Sequence, residues 1–186
     1  MTKAELRRKI RAAVGHLSPA ARAAASAAVR ERLAPQMQSA RTVLFFAPLP
    51  DEVDLWPLLD DFLAAGKVAA LPRFDSTTQS YLAVRVRNLT EDIVAGKFGI
   101  REPRADCPRI EPGRLDLILV PGVAFDWGGR RLGRGRGYYD RLLSNHRALK
   151  AAIAFDEQMV GEIPAEPHDA RMDFILTPSH CVKCAA

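Results

Sequence analysis

The chain has 186 residues, 48% of them hydrophobic and 26% charged, which suits one domain with a sizeable core and excludes a disordered or low-complexity protein. Its formal net charge of +5 favours an anionic partner, but the arginines are spread along the whole chain beside abundant alanine, as a GC-rich coding bias gives, so charge alone does not point to nucleic acid. No run reaches the ~18 apolar residues of a membrane span, the N-terminal stretch lacks the ~7–15-residue apolar core of a secretory signal, and three cysteines suit a reducing cytoplasm.

Residues 2–14 read as a basic helix, and 17–37 as a second with Ser18 as N-cap and Pro19 at its first position. The arginine- and alanine-rich start has a faint transit-peptide look, which Glu5 and the helical pattern oppose. "RTVLFFAPLP" (41–50) is a β-branched and aromatic strand broken by prolines. A helix follows from Asp54 as N-cap to Gly66 as its stop, then a short strand at 68–74. Residues 81–89 alternate, with Leu82, Val84 and Val86 on one face and Arg85 and Arg87 on the other, as in a strand near a sheet edge. "DLILVPG" (116–122) is apolar throughout, a strand buried on both faces. A glycine-rich loop and a helix over 138–146 follow, with further strands at 150–155 and, as the last, 173–178.

Strands alternating with helices predict an α/β fold: three layers, α/β/α, with a largely parallel central sheet in a single domain over 1–186. Ligands of such sheets bind beyond the carboxyl ends of the strands. The informative segments are therefore 48–54, 72–74, 121–140 and 155–173.

Among these, "RRLGRGRGYYDRLL" stands out, with Gly133, Gly135 and Gly137 separated by Arg134 and Arg136. Residues without Cβ let several N–H groups converge on one anion. The two arginines can add charge-assisted bonds to phosphate, and Asp140 can offer a carboxylate to Mg²⁺. The spacing is neither a Walker loop nor a dinucleotide fingerprint. Three readings stay open on the residues alone: a phosphate grip, a plain strand-to-helix turn, or an Arg-Gly segment for RNA.

The ordered run Pro121-Gly122, Ala124-Phe125-Asp126, Arg131-Leu132-Gly133, Gly135 and Gly137-Tyr138-Tyr139-Asp140 resembles the signature of the 5-formyltetrahydrofolate cyclo-ligase (5,10-methenyltetrahydrofolate synthetase) family. "KAELR", "PDEVD", "FGIREP" and the segment from Ala154 to Thr177 resemble other family stretches in the same order, so nearly the whole chain is covered. The resemblance implies a scaffold like that of sugar-phosphate isomerases and CoA-transferases. It also implies an ATP- and Mg²⁺-dependent conversion of 5-formyltetrahydrofolate to 5,10-methenyltetrahydrofolate. The formyl oxygen would be phosphorylated, N10 would attack, and phosphate would leave.

Carried over residue by residue, the resemblance assigns ATP to Lys3, Ala4, Glu5, Leu6 and Arg7, and to Arg131, Leu132, Gly133, Arg134, Gly135, Arg136, Gly137, Tyr138 and Tyr139. Folate falls to Leu49, Asp54 and the stretch Arg134–Tyr138, and Mg²⁺ to Asp140 and Asp169. Arg134 and Arg136 are the expected catalytic groups, stabilising charge on the transferring phosphoryl group. The expected state is a cytoplasmic monomer acting on small molecules, with no nucleic acid and no membrane. Trp127 reads as surface or lid packing and His168 as an exposed loop residue. His180, Cys181 and Cys184 amount to half a zinc site in a tail.

Overall fold

In the computed structural model, which describes residues 1–96, 99–164, 166 and 169–184, the helices are α1 (Lys3–Gly15), α2 (Pro19–Gln36), α3 (Trp56–Ala64) and α4 (Tyr138–Ser144). The strands are β1 (Thr42–Leu44), β2 (Val68–Asp75), β3 (Ser80–Val86), β4 (Ile93–Ala95), β5 (Arg101–Pro103), β6 (Leu117–Val120), β7 (Ala124–Asp126), β8 (Arg131–Leu132), β9 (Leu149–Ile153), β10 (Met159–Val160), β11 (Phe174–Leu176) and β12 (Cys181–Lys183). His168 lies outside the described residues.

Local chemistry fixes the helix ends. Thr2 and Glu5 form a reciprocal capping box on α1, whose Leu6, Ile10 and Val14 are buried at a spacing of four. Ser18 caps α2, accepting from the Ala21 N–H at 3.1 Å. α3 starts later than the sequence suggests: buried Leu55, not Asp54, takes the cap position as its side chain enters the core. Asp54 instead accepts the Trp56 N–H at 3.0 Å from one residue earlier. Gly66, at φ +72°, follows the end of α3 as expected.

The main sheet has seven strands in the order β12-β11-β9-β6-β1-β2-β3. Its inner neighbours β11, β9, β6, β1 and β2 pair in parallel; β3 and β12 close the edges antiparallel. Alternate side chains divide between two cores. Val43, Ala69, Leu71, Leu117, Leu119, Ala151, Ile153 and Leu176 join the core with Leu6 and Ile10 of α1, Val29 and Leu33 of α2 and Leu59 of α3. Leu44, Ala70, Ile118, Val120, Ala152 and Ile175 join the opposite one with Leu142 and Leu143 of α4. The fold is thus the expected three layers around a largely parallel sheet.

Two departures matter. Residues 180–184 are not a tail: β12 pairs antiparallel with β11, Cys181 facing Leu176, because the chain reverses through Thr177–His180. The segment after β6 is also not plain loop. β7, β8 and β10 form a small sheet in the order β10-β7-β8. Asp126, 2% exposed, anchors it by accepting from the Gly128, Arg130 and Ile163 N–H groups at 2.9–3.0 Å. The Gln158 amide donates to the Gly122 carbonyl at 2.7 Å. These contacts fix both ends of the strands that carry the glycine loop.

Candidate functional site

The carboxyl ends of β1 and β6 and the adjoining part of β2 open onto a cavity of about 710 Å³. Phe46, Ala47 and Leu49 reach it from beyond β1, Pro72 from β2, and Pro121 and Gly122 from beyond β6. α1 contributes Lys3, Arg7 and Arg11, a cationic stripe that runs beside its apolar one. The glycine loop contributes every residue from Arg131 to Asp140, and the C-terminal segment adds Glu166 and Asp169.

Two glycines give the loop its path. Gly135 has φ +98° and Gly137, immediately before α4, has φ +65°, conformations that cost other residues energy. Arg7 Nε donates to the Gly133 carbonyl at 2.8 Å and ties α1 to the loop.

Three of the cavity's cations are paired with carboxylates. Arg131, with only 5% of its side chain exposed, pairs with Asp140 and lies 5.8 Å from the Tyr139 ring centroid. Lys3 Nζ is 3.0 Å from Glu166 and 3.5 Å from Asp169; the bond to Glu166 holds its ammonium above the usual lysine range. Arg134 Nη2 donates to Asp51 at 2.9 Å and to Glu52 at 3.0 Å. Arg136 also lines the cavity.

Glu52 is the buried acid of the site. Its N–H donates to the Leu49 carbonyl at 2.9 Å, and its carboxylate accepts the Leu49 N–H at 3.0 Å, closing a reciprocal turn that turns the side chain inward. Burial pushes its carboxyl above the ordinary glutamate range, against the pull of the Leu49 N–H and Arg134. Beside it stands an aromatic wall. Tyr138 lies 5.1 Å from Phe74 and 5.7 Å from Tyr81, and Tyr139 lies 5.6 Å from Tyr81, between ring centroids. Burial, then the negative charge of Glu52, pushes the Tyr139 hydroxyl well above its usual range.

The structure therefore gathers Lys3, Arg7, Leu49, Arg131 to Asp140 and Asp169 around one space. It does not bring in Ala4, Glu5 or Leu6: Glu5 is engaged in the α1 cap, Leu6 is in the core, and Ala4 lies off the cavity face. Asp54 also points elsewhere, accepting the Trp56 N–H ahead of α3 and lying beside Arg30. Glu52, two residues earlier, takes the interior position. Arg11 and Tyr81 are further lining residues that sequence reasoning passed over. The repeat Lys3, Arg7, Arg11 at every fourth position carried that signal for Arg11.

The donor set suits a hard cation. Asp140 and Asp169 face the same cavity, and two carboxylates with phosphate and water oxygens make an ordinary Mg²⁺ environment. Among the described residues, no group of three or more His, Cys, Asp or Glu forms a cage by itself. Cys181 is exposed, Cys184 is buried, and the His180 ring packs 5.1 Å from that of half-exposed Trp127, outside the cavity lining.

Comparison with known proteins gives a consistent result. The family model described as the 5-formyltetrahydrofolate cyclo-ligase family matches residues 1–178. The chain is 40% identical over 145 residues to the 5-formyltetrahydrofolate cyclo-ligase of Mycolicibacterium smegmatis, covering 75% of each protein. It is 34% identical over 152 residues to that of Mus musculus, covering 76% of this chain and 75% of the mouse protein. The structure of Aquifex aeolicus 5,10-methenyltetrahydrofolate synthetase superposes with a TM-score of 0.88 at 34% identity, covering 98% of this chain and 93% of that one. The Mycoplasma pneumoniae 5,10-methenyltetrahydrofolate synthetase shares the fold, with a TM-score of 0.78 at 24% identity over 96% and 99% of the two chains. No helix among the described residues is long and apolar enough to cross a membrane.

Proposed function

The chain belongs to the 5-formyltetrahydrofolate cyclo-ligase family, and we propose that the cavity at the carboxyl end of its sheet is where it makes 5,10-methenyltetrahydrofolate from 5-formyltetrahydrofolate and ATP, releasing ADP and phosphate. The observation that carries the reading is the meeting, in one cavity, of the whole Arg131–Asp140 stretch, the α1 cations and Glu52. Three ingredients stand together: a cationic glycine loop for phosphates, a buried acid for paired N–H donors, and an aromatic wall for a flat ring.

In this reading Lys3, Arg7 and the loop from Arg131 to Tyr139 receive the nucleotide. Arg134 and Arg136 neutralise charge on the phosphoryl group as it passes to the formyl oxygen. The chemistry needs no enzyme nucleophile: phosphorylation turns a poor leaving oxygen into a good one, N10 attacks the activated carbon, and phosphate departs. Positioning and charge stabilisation supply the catalysis. Glu52, rather than Asp54, accepts from the pterin N–H groups while Leu49 and the tyrosine wall pack the ring. Asp140 and Asp169 would hold Mg²⁺, which neutralises phosphate charge when bound.

The direct test follows absorbance in the methenyl-folate band with purified protein, 5-formyltetrahydrofolate and Mg-ATP. A rise that requires ATP is expected. A flat trace from folded protein that still binds ATP would reopen the substrate assignment.

A pH profile tests the place of Glu52. Its carboxyl lies above the ordinary range through burial, and Arg134 is one of the groups drawing it back down. Folate binding uses the carboxylate, so the affinity for 5-formyltetrahydrofolate without nucleotide falls on acidification as Glu52 takes up a proton. Arg134→Gln removes the downward pull, and the acid limb is expected to move to higher pH. A limb that stays in place or moves lower would separate Glu52 from folate binding.

A further inference from the structure

The Arg134 contacts cross from one half of the site to the other. Its backbone belongs to the glycine loop, and its guanidinium reaches the loop between β1 and α3. A single nitrogen, Nη2, is shared by Asp51 Oδ1 at 2.9 Å, Asp51 Oδ2 at 3.2 Å and Glu52 Oε1 at 3.0 Å. The two acids differ in placement. The Glu52 side chain is 10% exposed and lines the cavity. That of Asp51 is 44% exposed, and Asp51 is absent from the cavity lining. Asp51 thus touches Arg134 without facing the space where substrates would sit.

We propose that Asp51 is a positioning residue which, together with Glu52, latches Arg134 between the two halves of the site, so that release of this one latch couples nucleotide binding to folate binding. The proposal rests on the assignment of the cavity made above. An incoming phosphate competes with both carboxylates for Arg134. Once Arg134 turns to phosphate, Glu52 is left as a buried acid without its cation, and paired N–H donors on a pterin ring replace what it lost. Approach from the other side is equivalent: a ring that engages Glu52 loosens Arg134 for phosphate. The pair is broken once and both ligands benefit, which makes the coupling positive and, by linkage, equal in both directions.

Asp51 sets how firmly Arg134 is held before either ligand arrives. Asparagine keeps the size and one acceptor oxygen but removes the charge. The test is calorimetric titration of the full-length enzyme with the Mg²⁺ complex of a β,γ-imido ATP analogue and with 5-formyltetrahydrofolate, each alone and each with the other saturating. In wild type, each ligand is expected to tighten the other by the same factor, about 3- to 10-fold for a partly exposed pair. In Asp51→Asn, the nucleotide alone is expected to bind about 2- to 5-fold tighter, with the coupling reduced below about 2-fold. A general loss of negative charge would tighten the nucleotide but leave the coupling factor untouched, so the coupling is the deciding readout. Wild-type binding of both ligands without coupling, or an Asp51→Asn coupling equal to wild type, overturns the latch alone. Failure of wild type to bind either ligand overturns the cavity assignment itself, and the latch with it.

Discussion

Asp140→Asn is expected to lower kcat by about 100-fold or more, with a far smaller loss of stability. The rate effect follows from the proposed metal role, since an amide is a poor ligand for a hard cation beside phosphate. The stability effect follows from Arg131. That guanidinium is nearly buried, and Asp140 is its only carboxylate partner among the described residues. Asparagine leaves one neutral acceptor in place of the charge, and Arg131 keeps its contact with the Pro121 carbonyl and its position beside the Tyr139 ring. The cost is about 1–2 kcal/mol, or roughly 2–8 °C in Tm for a chain of this size. Turnover measured against Mg²⁺ concentration, beside thermal unfolding, separates the two roles. The variant is expected to need more Mg²⁺ at every rate. A wild-type rate with a wild-type Mg²⁺ requirement would remove Asp140 from the metal site.

Gly135→Ala is the second large effect. Space is not the obstacle, because a Cβ there would meet the Arg7 guanidinium carbon at an ordinary 3.5 Å. The obstacle is φ +98°, which costs an alanine about 1–3 kcal/mol. The loop relieves that strain by rotating its peptides, and rotation turns N–H groups away from where phosphate would lie. An increase of about 10- to 100-fold in KM for ATP is expected, with KM for folate changed much less and the fold retained. Equal KM values for ATP in the variant and the wild type would show that the loop's backbone takes no part in holding the nucleotide.

The parts of the protein most legible in the sequence are those governed by local chemistry. Ser18-Pro19 announces α2, Gly66 ends α3, and the unbroken apolar run Leu117–Val120 marks a strand between two cores. The small sheet β10-β7-β8 was hidden because its strands have only two or three residues, too few for a period to register, and its pairing of Phe125 with Met159 is non-local. β12 failed to show for the same reason. Spacing put Lys3 and Arg7 on one helix face and set glycines between arginines in a loop, but a solvated face and a plain turn share those patterns, and it was the family resemblance that joined these residues into one site. The site was not legible between Asp54 and Glu52. Both are acids in the same short segment, and only the turn closed by Leu49 and Glu52 decides which one faces inward.

The strand order has a consequence for how the chain emerges during synthesis. β1 comes first but ends inside the sheet, between β6 and β2, and its partner residue for Val43 on one side is Leu117, 74 positions later. A ribosome adding about 5–20 residues per second takes roughly 4–15 s to cover that distance. For all of that time Val43, Leu44, Phe45 and Phe46, each almost fully buried in the finished protein, hang from the nascent chain beside an unpaired strand edge. That interval is the window in which aggregation competes with completion of the sheet.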